Sequence, residues 1–106
     1  MSDSPLHDGS YIILGKRWRL VFVRFPSLGR RRSKDGECDA PDSPNKKIRI
    51  GKHLHNRPRR LLEVIIHECL HAADWHKDDA WVETVSEDVA KILWAQGFRL
   101  GRTNPE

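Results

Sequence analysis

Three residues in one short stretch could do chemistry together. His67-Glu68-Cys69-Leu70-His71 spells H-E-x-x-H, and residues four apart on an α-helix lie one above the other on the same face. Two imidazoles placed in that way can reach a single metal ion. At about 100° per residue Glu68 falls to one side of the histidine face, where it can accept a proton from water without being a ligand itself. This is the residue pattern of zinc-dependent hydrolysis, with Glu68 as the catalytic base and Zn2+ as the cofactor.

Zinc in a hydrolytic site takes three protein ligands and keeps one position open. His67 and His71 supply two, so the third decides the class of site. The turn near residues 76–79 is short and sets the helices on either side antiparallel. Counting outward from residue 77 places residue 83 opposite residue 71 and residue 87 opposite residue 67. Glu83 is the leading third ligand, because it sits nearer the apolar stripe of its helix than Glu87 does. His76, Asp74 and Glu87 are the alternatives, and Glu87 or Asp74 could instead bond the far nitrogen of His67. The donor for a developing oxyanion stays open among Tyr11, His53, His55, His76 and Arg57.

The helix that must carry the motif spans residues 61–75 and is apolar almost all round, with Leu61, Leu62, Val64, Ile65, Ile66, Leu70, Ala72 and Ala73. It reads as buried, so His67, Glu68 and His71 need partners there, and a metal satisfies them together. Pro58 suits its first turn. Asp78 or Asp79 caps a second helix over residues 80–96, closed by Gly97, with an apolar stripe of Val82, Val85, Val89, Ile92 and Leu93. Phe98 and Leu100 are placed to pack back.

Upstream, residues 11–14 and 17–25 read as a hairpin whose two-residue turn is Gly15-Lys16, of type II′. Apolar residues on both faces of the second strand suggest a central strand with both faces covered. Residues 27–44 read as a surface loop, with Arg30-Arg31-Arg32-Ser33-Lys34 as its charged part and Cys38 tucked beneath it or facing the metal. Residues 46–51 alternate, with Ile48 and Ile50 against Lys47 and Arg49, as in a half-buried edge strand. An edge beside the motif helix could hold an extended peptide as an added strand.

These elements make one α+β domain over residues 1–106, a small mixed sheet packed on two antiparallel helices, with residues 1–9 and 103–106 as loose tails. At 38% hydrophobic content the core must be concentrated in few segments. Residues 1–60 carry 15 Lys/Arg against 6 Asp/Glu, whereas residues 61–106 carry 4 against 9, so the motif lies in the acidic half. No apolar run approaches the roughly 20 residues of a membrane span, and the start is polar. With two cysteines expected as thiols, a cytoplasmic location is the default expectation.

His67, Glu68, His71 and Glu83 together resemble the gluzincin metallopeptidases, in which H-E-x-x-H is completed by a glutamate on the next helix. Over residues 11–98 the order of elements is most similar to minigluzincins and ImmA/IrrE-like domains, which implies a zincin-like fold and peptide-bond hydrolysis. The larger gluzincins carry a carboxylate four residues after the ligand glutamate, and Glu87 stands at that spacing from Glu83. The gap from His71 to Glu83 is shorter than in most gluzincins. The metzincin pattern is absent, since position 74 is Asp and position 77 is Lys. Ala72, Ala73 and Trp75 also resemble SprT/Spartan-like proteases of nucleic-acid-bound proteins, which keeps nucleic acid as an alternative partner for the basic half. A further alternative is a non-catalytic zinc module whose metal only joins two helices.

Overall fold

A strand with Trp18, Leu20 and Phe22 on one face must bury that face, and it does so at the middle of a sheet. The computed structural model describes residues 6–26 and 34–100. Its sheet comprises β1 (Gly9–Ile13), β2 (Lys16–Val23), β3 (Gly36–Cys38) and β4 (Lys47–Gly51), in the order β1-β2-β4-β3. β1 and β2 form the hairpin, antiparallel from Gly9 opposite Leu20 to Ile13 opposite Lys16. Its turn is Leu14-Gly15 rather than the expected Gly15-Lys16. Both turn residues have positive φ, 49° and 79°, the geometry of a type I′ turn, which suits the strands' right-handed twist.

Two expectations about the sheet are corrected. β4 runs parallel to β2, with Leu20 opposite Ile48, and antiparallel to β3, with Cys38 also opposite Ile48. It is therefore an interior strand, and the edge beyond it is β3, in a stretch expected to be loop. Of the two charges on β4 that looked like edge protection, that of Arg49 is paired with the acidic residues beside it. Arg49 donates to the Asp39 carboxylate at 2.7 Å and also lies near Glu37, while the Lys47 N–H donates to Asp39 at 2.9 Å. β2 is central as expected, but α1 (Pro58–Ala73) lies against only the face that carries Trp18 and the isoleucines. Val21 and Val23 on the other face stay half-buried.

The core forms where α1 meets that face. Trp18, Ile48, Ile50, Leu61 and Val64 are all buried, joined by Leu54 from the 3₁₀ helix Lys52–Asn56. Leu54 packs there because this short helix turns the chain from the end of β4 into α1. Pro58 opens α1 at its first turn, and the Asp74 N–H closes it on the Leu70 carbonyl at 2.9 Å. The helix starts earlier and ends earlier than expected, leaving Trp75 40% exposed in the following turn.

α2 (Asp79–Ala95) is capped by Asp78, whose carboxylate accepts the Trp81 N–H at 3.3 Å. It packs on the other side of α1, so α1 is the middle layer. The buried line on α2 is Val82, Ser86 and Ala90; of the expected stripe Val82 is buried, Val85, Val89 and Leu93 are half-buried, and Ile92 is 61% exposed. Two helices approach most closely where side chains are small, and the larger Val85, Val89 and Leu93 flank the contact line. Leu100 packs on the core as expected, whereas Phe98 is exposed.

The expected loose start is also corrected where it is described. Leu6 packs against the core, and the Asp8 carboxylate accepts the Phe22 N–H at 3.0 Å. Residues 1–5 and 103–106 of the expected tails, and Arg30 to Ser33 of the basic stretch, lie outside the described residues. No helix among the described residues is long and apolar enough to cross a membrane.

Candidate metal centre

α1 presents His67 and His71 on the side that faces α2, and Glu68 on the side that faces β3. The two histidine Nε2 atoms stand 3.1 Å apart, with the rings edge to face at 4.8 Å between centroids. Two ligands on a tetrahedral zinc with Zn–N bonds of 2.0–2.1 Å would be about 3.3 Å apart. The pair therefore matches one edge of a zinc coordination tetrahedron. Burial, and then the neighbouring His71, lower the pKa of His67. A neutral imidazole with its Nε2 lone pair free is the form a metal requires.

Glu68 is 7% exposed. Its pKa is pushed up to about 7, first by burial and then by the charge of Glu37, with Lys34 opposing. A carboxyl poised near neutrality can both take and return a proton. What confines it is β3. A Cβ built on Gly36 would stand 2.9 Å from Val64 Cγ1 and 3.0 Å from both Cγ and Oε2 of Glu68. The strand thus rests directly on the helix at the glutamate, and only glycine allows that approach.

Asp35, one residue earlier, anchors the strand. Its carboxylate accepts from Arg60 Nε and Nη2 at 3.0 and 2.9 Å and bonds His53 Nε2 at 2.8 Å, while its carbonyl accepts the Gly51 N–H at 2.8 Å. Burial alone would raise Asp35, but the hydrogen bonds from His53 and Arg60 outweigh it and hold the carboxyl below its ordinary range. Arg60 also pairs with Glu63 on its own helix.

A pocket of about 370 Å³ opens over these groups, lined by His67, Glu68 and His71 from α1, Gly36 and Cys38 from β3, and Trp75 and Asp79 from the turn and the start of α2. Cys38 faces the pocket as a thiol. Burial, then the charge of Glu68, push it up to about 12, and its Sγ donates to the Asp39 carbonyl at 3.3 Å.

The expected third ligand does not close on the histidines. Among the described residues no group of three His, Cys, Asp or Glu side chains gathers closely enough to hold a metal ion. Glu83 is exposed on α2, where its charge acts on His67 without a direct bond. Asp79, one turn earlier, stands nearer, with Oδ1 3.9 Å from His71 Nε2. The histidine pair is thus the part of a zinc donor set that is preformed, and no carboxylate among the described residues completes it.

Asp74 ends α1 and is exposed, as is His76 in the turn. Glu87 is half-buried and makes no bond to His67; Ser86 Oγ takes that position, 3.4 Å from His67 Nδ1. None of the oxyanion candidates lines the pocket. Tyr11 lies on β1, at the far side of the sheet from β3, His53 is held by Asp35, and His55 bonds the Lys52 carbonyl at 3.1 Å. Sequence reasoning missed Gly36, Asp79 and Ser86. The available signals were a glycine beside a cysteine in a supposed loop and a serine interrupting an apolar helix face.

Comparison with protein-family models, with curated proteins and with solved structures finds no match for this chain.

Proposed function

We propose that this chain is a small zinc-dependent peptidase of gluzincin-like design. The observation that carries the reading is the convergence of His67 and His71 Nε2 at 3.1 Å beside a buried Glu68. His67 and His71 would hold the zinc, with Glu83 or Asp79 of α2 as the carboxylate donor. Zinc at such a site supplies Lewis acidity, which polarises a peptide carbonyl and makes water a stronger acid. Glu68 accepts the proton of the attacking water at its carboxylate and returns it to the leaving amine, a role that suits a carboxyl raised to about 7. The outer edge of β3, rather than residues 46–51, offers backbone N–H and C=O groups beside the pocket, where an extended peptide or protein substrate could add as a strand.

The test is the zinc-to-protein ratio of the purified chain together with peptide hydrolysis. The parent should bind one equivalent, and Glu68→Gln should keep the zinc while losing hydrolysis. A parent that takes up no zinc when it is supplied refutes the proposal, and a Glu68→Gln protein that loses zinc makes Glu68 a ligand.

One observation favours a non-catalytic zinc module as the second reading, namely that Cys38 lines the same pocket. In that case Cys38→Ser would release the metal, whereas a peptidase would retain it. For binding to nucleic-acid-bound proteins the support is a separate groove of about 510 Å³ lined by Arg57, Pro58, Arg59, Arg60, Glu63 and Trp94, in which Arg60 is already paired with Glu63 and Asp35. Salt-dependent DNA binding would favour it.

A further inference from the structure

Ser86 occupies a position that sequence and packing leave to a small apolar residue. It lies between Val82 and Ala90 on the line where α2 meets α1, and it is fully buried, 0% exposed. Alanine would fill the same space and favours helix more strongly than serine does. A buried hydroxyl there has to be bonded, and its bonds indicate what it is for.

The hydroxyl has one proton and two acceptor lone pairs. The proton is committed within α2, since Oγ lies 2.7 Å from the Val82 carbonyl and 3.0 Å from the Glu83 carbonyl. Oγ is also 3.4 Å from His67 Nδ1. With its proton on the shorter contact, to the Val82 carbonyl, Ser86 accepts at the His67 contact, and the hydrogen there comes from the histidine ring.

From this geometry we infer that Ser86 is a positioning residue that holds neutral His67 with its proton on Nδ1, leaving Nε2 as a free donor aimed at the metal position. The opposite tautomer would set an Nδ1 lone pair against the lone pairs of a buried oxygen. At 3.4 Å the contact is long for N–H···O, but it has only to discriminate between tautomers. The other side of the ring agrees with the assignment. His67 Nε2 and His71 Nε2 are 3.1 Å apart, a separation at which at most one of the two can carry a proton. With the His67 proton on Nδ1, His71 Nε2–H donates to His67 Nε2, along the line that a cation would take over.

The expected partner of His67 was Glu87, a carboxylate that would add negative charge to the site. A hydroxyl fixes the tautomer while adding none, so the donor set keeps the charge of its own ligands. The tautomer inference rests on the contacts of Ser86 and His67; only its effect on zinc affinity rests on the proposed function.

Long-range proton–nitrogen spectra of the ¹⁵N-labelled, metal-free protein, recorded above the histidine titration range, test this directly. In the parent, His67 should give a protonated Nδ1 and an unprotonated Nε2. Ser86→Ala should shift His67 toward the Nε2–H form. Removing a second partner of this kind typically costs 10–100-fold in metal affinity, and zinc titration against a competing chelator should show a loss in that range for Ser86→Ala. A parent His67 protonated on Nε2 overturns the inference, as does a Ser86→Ala protein with parental tautomer and zinc affinity. If Ser86→Ala fails to fold, the parent spectrum alone decides. If the parent binds no zinc, the peptidase proposal falls while the tautomer result still stands or fails by itself.

Discussion

Gly36→Ala places a single methyl group at the point where β3 rests on α1, and its cost follows from what that methyl meets. The nearest atom is Val64 Cγ1 at 2.9 Å, followed by Glu68 Cγ and Oε2 at 3.0 Å. The Glu68 oxygen is the end of a longer side chain and can yield, but Val64 is β-branched, 3% exposed and packed in the core. The strand cannot simply lift, because Asp35 immediately before it is bonded to Arg60, His53 and the Gly51 N–H. Overpacking of this kind costs about 1–3 kcal/mol. In a domain of this size each kcal/mol lowers Tm by about 4–8 °C. Gly15→Ala is the matched control, since Gly15 has φ +79° with nothing within 4 Å of its ideal Cβ; it should lose about 1–2 kcal/mol through backbone strain alone. Thermal melts of the metal-free proteins, followed by far-ultraviolet circular dichroism, measure both. Both should melt below the parent, and only Gly36→Ala, in zinc-loaded protein, should also lose hydrolysis through the displaced Glu68. A Gly36→Ala protein that melts with the parent would refute the direct seating of β3 on the helix.

Glu68→Gln should lower peptide hydrolysis by about 10²–10⁴-fold, the usual contribution of a positioned acid–base group, with zinc content unchanged by metal analysis. Asp39 is held below its ordinary value of 3.8 chiefly by the Arg49 hydrogen bond. Its stabilising contribution is therefore complete above the unfolded value and is lost as pH falls through the lower folded value. Asp39→Asn should accordingly be less stable than the parent near neutrality, and the two stability curves should converge in acid; parallel curves from pH 6 downward would refute the linkage. Leu54→Ala should cost about 2–5 kcal/mol in denaturant unfolding, because Leu54 is 0% exposed and ties the 3₁₀ helix to the core.

Local chemistry made much of this molecule legible. The 3.6-residue spacing that puts His67 over His71 is a property of the helix alone, whereas the Nε2 separation of 3.1 Å depends also on how the two rings are turned. The hairpin, both helices and the burial of Ile48 and Ile50 were readable because periodicity is a local signal. The Leu14-Gly15 turn was displaced by one residue, since one glycine fits either of two adjacent turn types. β3 was not readable, because three residues carry no period and its pairing is with a strand about ten residues further along the chain.

The α1–α2 register marks the boundary most clearly. Counting back from a short turn set Glu83 and Glu87 opposite the histidines, yet the structure sets Asp79 near His71 and Ser86 against His67. A shift of one residue on a helix is a rotation of about 100°, enough to exchange a carboxylate for a hydroxyl. The sequence alone determined which residues can ligate a metal and that two of them share a helix face. Which carboxylate stands nearest them, which strand closes over Glu68 and which side chain bonds His67 were decided by tertiary packing, because small residues at the helix contact and a glycine under the strand set distances that no local period encodes.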